Sequence, residues 1–386
     1  MNEIKIKETI KFIRHIYSSG NNEFIPLHSP KFFGNEKKYL NDCIDSTYVS
    51  SVGKYVDLFE EKISSKINSK KSVAVVNGTA ALQVALRLAG VKKGDEVITQ
   101  ALTFVATTNS IIYNDAEPIF LDVDLDTMGL SPKSVSNFLE EYAEIRDDGC
   151  YNKISGKKIS ACLPMHTFGF PVHIDKLISV CNKWKIPVVE DAAESLGSYH
   201  KDKHVGTLGK LGVFSFNGNK ILTSGGGGVI VSNDSDLANE GKFLTTTAKD
   251  PHSYEYYHSK VGYNYRMPNI NAALACAQLE NLDLFLKSKR KIAKLYIDFF
   301  DSLNINFRKE VHNTKSNYWL MALELEDLKA RDYFLKKTNE NKIMTRPVWQ
   351  LMFNLPMFKT YFKDSQKNAI YLSERIVNIP SSSILI

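Results

Sequence analysis

Short apolar runs alternate with stretches of helical period through the first two thirds of the chain. Ser72–Val76, Glu96–Thr99, Pro118–Val123, Ile159–Leu163, Pro187–Val189, Val213–Phe216 and Val229–Val231 are brief, rich in β-branched or aromatic residues, and bounded by turn residues. They read as buried strands. Helical spacing is predicted over 4–17, with Ile4, Ile10, Phe12, Ile13 and Ile16 facing something apolar, and over Glu36–Ser46. Tyr55–Ile67 repeats it, with Val56, Phe59 and Ile63 on one face. Further helices are predicted from Asn77 to Leu88 and over Ala106–Tyr113, Pro132–Glu144, Ile174–Trp184 and Asp236–Leu244. Arg146–Gly156 is polar and reads as a surface insertion.

This alternation predicts an α/β fold with a mostly parallel central sheet covered on both faces. From Ile270 a single long helix is predicted, with Ala273, Leu274, Ala277 and Leu284 toward the first unit. Weak strands such as Tyr318–Leu325 and a helix over Leu328–Asn339 then read as a smaller C-terminal α+β domain. The expected division is 1–30 as helix and arm, 31–268 as large domain and 269–386 as small domain.

Composition changes this picture little. A chain of 386 residues is long for one core. Net charge is +6, from 49 basic against 43 acidic residues. That excess suits anionic ligands but is too scattered for nucleic acid. The cysteines Cys43, Cys150, Cys162, Cys181 and Cys276 are odd in number and far apart. A reducing compartment is expected, without disulfides or a zinc site. The start, MNEIKIKETIKFIRHIY, lacks the apolar core of a signal peptide, and no run is long enough to span a membrane. The expected location is cytoplasmic.

Candidate chemistry concentrates in Pro187–Asp234. One strand ends in Glu190 and Asp191; another leads through Asn217-Gly218-Asn219 to Lys220; the glycine block Gly225–Gly228 follows. Strand carboxyl ends carry the chemistry of open α/β sheets, so an acid and an amine converge on one crevice. A salt bridge is one reading of that pair. Pyridoxal phosphate (PLP) is the other: its aldehyde forms a Schiff base with lysine, and an acid holds its pyridine nitrogen protonated. The phosphate would need a site of its own. Asn77-Gly78-Thr79-Ala80 offers a strand, a Gly-Thr turn and a helix start, with free N–H groups and the positive dipole end. Many such turns bind nothing. The glycine block precedes a strand and so is no dinucleotide loop, and G-x-S-x-G is absent. His166, His173, His200 and His204 fit no metal-ligand spacing; the last two lie in a Lys-rich hairpin and read as solvated.

From about Ile25 to its end the chain resembles the DegT family of sugar aminotransferases, of PLP fold type I. The resemblance rests on NGTAALQVAL, TFVATTNSI, VEDAAESLGS, GVFSFNGNK, GGGGVIV and GYNYRMPNINAALACAQLE. It implies that Lys220 carries the cofactor as an internal aldimine and shuttles the proton. Asp191 would pair with the pyridine nitrogen, Glu194 lie near the ring and Phe104 stack on it. Thr79 and Ala80 would bind the phosphate through the helix start and Ser215 through its hydroxyl, with Gly78 and Asn217 also binding the cofactor. Asn264 would reach that phosphate from the neighbouring subunit, making a homodimer with shared active sites. Taken alone, Phe104 also reads as core, Ser215 as a backbone partner, and Asn264 and Arg266 as turn residues.

The implied reaction moves an amino group from L-glutamate to a nucleotide-linked keto sugar. Ser51, Lys249, Tyr256, Arg266 and Arg346 are candidate substrate contacts, and Val348, Trp349 and Leu351 could receive a 6-methyl group. Gly226 departs from the family's common G-E-G-G. With FIPLHSPKFFGNEKKYL, STYVSSVGKYV and TRPVWQLM it is similar to the branch acting on legionaminic-acid-type sugars. That branch implies a 2-acetamido-4-keto-6-deoxy sugar linked to UDP or GDP. The alternatives are a 3-aminotransferase or sugar dehydratase of the same fold, against which the lysine at 220 counts for the latter, and a non-catalytic regulatory protein.

Overall fold

The computed structural model describes residues 3–384. Seven strands form the central layer: β1 (Lys71–Val75), β2 (Glu96–Gln100), β3 (Glu117–Leu121), β4 (Lys158–Leu163), β5 (Val189–Asp191), β6 (Leu211–Ser215) and β7 (Gly228–Ser232). β1, β7, β6 and β5 lie side by side in that order, as do β3, β2 and β4. Parallel bridges Cys162↔Val188 and Met165↔Asp191 join the two sets along β4 and β5. β7 alone runs against its neighbours. Nearly every residue of these strands is buried, as expected for a sheet covered on both faces.

Several helix starts have a capping side chain. Asn77 caps the helix Gly78–Ala89, its side chain accepting from the Ala80 N–H at 2.8 Å, and Gly90 ends it at φ 109°. Ser131 and Pro132 open Pro132–Tyr142 in the same way.

Several expectations need correction. Arg146–Gly156 is no simple insertion: Ala143–Arg146 and Gly149–Asn152 form an antiparallel hairpin that pairs with β4 and widens the sheet. Its anchor is the buried Asn152, donating to Glu96 at 2.9 Å. The long helix is two helices, Asn269–Glu280 and Leu282–Ser302, broken at Asn281. Leu284 therefore faces solvent, as does Ile4 in the first helix, Glu3–Ile16. His200 and His204 are buried. Their hairpin has strands of two residues each, and the lysines between them take the outer positions. Burial pushes His204 down to about 4, and it stays neutral, its Nε2 accepting from the Gly197 N–H at 2.7 Å.

A second sheet of short strands follows, in the order Asn306–Phe307, Met321–Glu324, Ile376–Ile379, Arg346–Pro347. The N-terminal arm and the C-terminal segment meet beside it. Ser381 N–H donates to the Leu27 carbonyl at 2.8 Å, and Ser29 N–H to Ser382 Oγ at 2.9 Å. All five cysteines are buried and free. Among the described residues, no helix is long and apolar enough to cross a membrane.

Candidate active site

The carboxyl ends of β1, β5 and β6 open into a cavity of about 650 Å³ between the two sheets. At one end the helix start Asn77-Gly78-Thr79 lies against Ser215. A Cβ on Gly78 would come within 2.8 Å of Ser215 Cβ, so only glycine lets the two backbones approach this closely. A Cβ on Gly228 would meet the Asn77 carbonyl at 2.5 Å, so the glycine block lets β7 pass the same turn. The Gly78 and Thr79 amides stay available at the positive end of a helix, an anion cradle. The Ala80 amide does not: it is spent on Asn77, and Ala80 lines a neighbouring shallow pocket instead.

Asp191 closes β5 and is 2 % exposed. Its Oδ2 accepts from Thr107 Oγ1 at 2.7 Å and its Oδ1 from the Ala193 N–H at 3.1 Å. Burial raises its pKa, opposed by those two bonds and by the charge of Lys220. Glu194 enters the cavity one short turn later. The Phe168 N–H holds its Oε2 at 2.9 Å, and Lys220 Nζ lies 3.3 Å from its Oε1. Burial pushes Glu194 up to about 7 despite the nearby ammonium. Lys220 follows β6 on a turn closed by its own N–H to the Asn217 carbonyl, at 3.0 Å.

The opposite wall comes from the second sheet and its loops: Trp319, Leu320 and Arg346 to Gln350. Phe104, half exposed, and Trp349 face each other over the mouth with ring centroids 6.2 Å apart. Phe104 is thus cavity wall and not core.

The cavity gathers Gly78, Thr79, Phe104, Asp191, Glu194, Ser215, Asn217, Lys220 and Arg346, with Val348 and Trp349. Within one chain it does not gather Ser51, Lys249, Tyr256, Asn264 or Arg266. Asn264 is exposed, bridged to Thr246, with Arg266 beside it at 3.5 Å. Lys249 stacks on the exposed ring of Tyr256. Leu351 is buried behind the wall. Sequence reading missed Thr107, Asn317 and Trp319. A threonine in TFVATT and a tryptophan in a weak strand carry no signal of their own.

Glu190, next to Asp191, points to the other face of β5, as strand alternation requires. It is fully buried and pairs with His166 at 3.0 Å. It also accepts backbone N–H groups of Gly206, Leu208 and Gly209 at 2.8, 2.7 and 2.6 Å. Burial alone would raise its pKa; these bonds outweigh burial and hold it below the usual value. Glu190→Ala should therefore cost about 3–5 kcal/mol in urea unfolding, because buried donors lose their acceptor. A loss below about 1 kcal/mol, the worth of an ordinary hydrogen bond, would contradict this role. With the folded pKa depressed, that stability is present above the unfolded value of 4.5 and is lost as pH falls through the folded pKa.

The residues present fit PLP: an anion cradle of glycine, threonine and serine, a buried carboxylate, and an amine on the same cavity beside an aromatic ring. The DegT/DnrJ/EryC1/StrS aminotransferase family model matches residues 32–385. The chain is 38% identical over 335 residues to a putative pyridoxal phosphate-dependent aminotransferase, EpsN, of Bacillus subtilis, covering 86% of this chain and 84% of EpsN. It is 35% identical to the GDP-perosamine synthase of Escherichia coli O157:H7, with 93% of each chain covered. Helicobacter pylori PseC, an aminotransferase of pseudoaminic acid biosynthesis, shares the fold with a TM-score of 0.84 at 21% identity, over 93% of this chain and 94% of PseC. The chain belongs to the DegT/DnrJ/EryC1/StrS family and is a PLP-dependent sugar aminotransferase of fold type I.

Proposed function

We propose that this enzyme moves the amino group of L-glutamate to C4 of a nucleotide-linked 4-keto-6-deoxy sugar. The observation that carries the reading is Lys220 held between Glu194 and the aromatic wall at the base of a cavity large enough for cofactor and sugar. Bound PLP supplies an aldehyde that accepts an amino group and a ring that withdraws electrons from the carbon beside it. The chain's residues do the rest. Gly78, Thr79 and Ser215 would hold the phosphate, Asp191 would pair with the ring nitrogen, and Phe104 would lie against the ring. Lys220, once free, takes the proton from Cα of glutamate and later delivers one to C4 of the sugar. Arg346 at the mouth offers a planar fork to a carboxylate or phosphate.

The nucleotide is GDP or UDP; the GDP-perosamine synthases among the relatives, at 35% and 36% identity, favour GDP. The 2-acetamido group remains part of the proposal through likeness to the legionaminic-acid-type branch. The product is a 4-amino sugar for a surface glycan or nonulosonic acid, made in the cytoplasm. The chain is proposed to divide at residues 30/31 and 268/269.

The test is a panel of GDP- and UDP-linked 4-keto-6-deoxy sugars, with and without the acetamido group, together with an analogue lacking the 6-methyl and a 3-keto isomer, assayed for amino sugar. Loss of the acetamido group is expected to matter more than loss of the 6-methyl, because an apolar patch such as Val348 and Trp349 discriminates a methyl by only about 1–3 kcal/mol. Equal efficiency on a 3-keto sugar, or indifference at C2, rejects the substrate.

The enzyme is proposed to act as a homodimer in which Asn264 completes the neighbour's phosphate site. Asn264→Ala and Lys220→Ala, each weak alone, should complement when mixed. Random exchange in a two-fold dimer predicts recovery of roughly a quarter of wild-type activity. Exchange without recovery places Asn264 in its own subunit's service.

A further inference from the structure

The geometry points to Trp319 as a positioning residue that holds the free amine of Lys220 where it must move a proton. The inference rests on the reading of Lys220 as the cofactor lysine.

Trp319 comes from the segment just before Met321–Glu324 and is 3 % exposed, yet its ring forms part of the cavity wall. It makes two separate contacts with the Lys220 segment. Its indole N–H donates to the carbonyl of Asn219 at 2.7 Å, fixing the backbone just before the lysine. Its ring centroid lies 4.0 Å from Lys220 Nζ. The ammonium thus sits between an aromatic face and the Glu194 carboxylate, 3.3 Å away on its other contact.

The indole is itself fixed from behind. Its backbone N–H donates to Asn317 Oδ1 at 2.8 Å, and Asn317 Nδ2 donates to the carbonyls of Glu194 and Leu196, both at 2.9 Å. Gly169 makes room for this: a Cβ there would lie 1.9 Å from Asn317 Oδ1. The Trp319 carbonyl accepts from Lys289 Nζ at 2.8 Å and from Ser381 Oγ at 3.0 Å. Lys289 is fully buried and shares its donors between the carbonyls of Trp319 and Ser381.

Physics supplies the reason for such a mount. Lysine has a flexible four-carbon stem and a compact charge. Released from the cofactor, it would sample many rotamers, few of them within reach of the reacting carbon. Once the amine has taken the proton it is an ammonium, and a face that attracts that cation restricts its search for the next carbon without forming a bond that must later break.

The experiment begins by reducing the wild-type holoenzyme with borohydride and mapping the pyridoxyl label. Trp319→Leu removes face and N–H; Trp319→Phe keeps the face and loses the N–H. Each variant is measured for capture of PLP by the apoprotein, for the primary isotope effect with α-deuterated L-glutamate in a single half-reaction, and for its unfolding midpoint. In Trp319→Leu, capture and proton transfer should each slow by about 10- to 100-fold, and the isotope effect should rise. Trp319→Phe should recover most of the proton-transfer rate. A label on another lysine removes the reading beneath the inference. With the label on Lys220, unchanged capture and isotope effect in Trp319→Leu overturn the positioning role alone. So does a Phe variant that folds and is as slow as Leu, or, where Leu does not fold, one that folds and transfers the proton at less than about a tenth of the wild-type rate.

Discussion

In Lys220→Ala, amino transfer from L-glutamate falls by about 10⁴-fold or more, while the unfolding midpoint scarcely moves. The upper end of a general acid–base contribution is already near that size, and the same amine is also the proposed anchor of the cofactor. The fold tolerates the loss because of what the ammonium leaves behind. Glu194 is held in a dry site and pushed up to about 7. Without Lys220 it takes up a proton and becomes a neutral acid, so no uncompensated charge is buried. Product formation in a single turnover measures the first claim and thermal unfolding the second. Turnover within about tenfold of wild type would remove Lys220 from the chemistry, since a general acid–base contribution starts near 10²-fold.

Asp191→Asn should keep its cofactor and lose on the order of 10²–10³ in the rate of the first half-reaction, the scale of one preorganised electrostatic contact. The amide has nearly the same shape, and one oxygen can still accept from Thr107 or Ala193. What it cannot do is supply a negative charge to the ring nitrogen. The site is built to keep that charge in place against burial: Thr107 and the Ala193 N–H both donate to it, and Lys220 lies on the same cavity. Absorbance of the purified variant reports cofactor retention, and stopped-flow mixing with glutamate reports the rate. A wild-type rate would show that Asp191 is not the ring partner.

The strands and their chemical ends were legible because a doubly covered sheet demands continuous apolar runs, and its active residues follow them directly. That Asp191, Lys220 and the Gly78 turn share one cavity could be read for that reason. Glu190 was given no role of its own; alternation along β5 sends it to the face opposite Asp191, where His166 and backbone donors claim it. The hairpin of 143–152 was hidden because its strands are short and of mixed polarity, and because it is tied down by pairing with β4 and by the bond from Asn152 to Glu96, neither of which shows in local sequence. The break at Asn281 was hidden because apolar spacing runs straight through it. Trp319 was beyond reach for another reason. Its importance comes from a neighbour a hundred residues away in sequence, and nothing in SNYWLMALEL announces that neighbour.

The meeting of Leu27 with Ser381 beside the cavity has a consequence for how the enzyme is made. Leu27 and Asn378 both line the wall, so the site draws on residues near each extreme of the described chain. During synthesis the sheet and Lys220 are complete long before Asn378 leaves the ribosome. Until then one wall of the cavity is missing, and Trp319 lacks the anchors that Ser381 shares with Lys289. Contacts of such long sequence separation form late. On the proposed role of Lys220, a chain interrupted short of this clasp lacks one wall of the cavity, and yellow colour would mark only those molecules that had closed it.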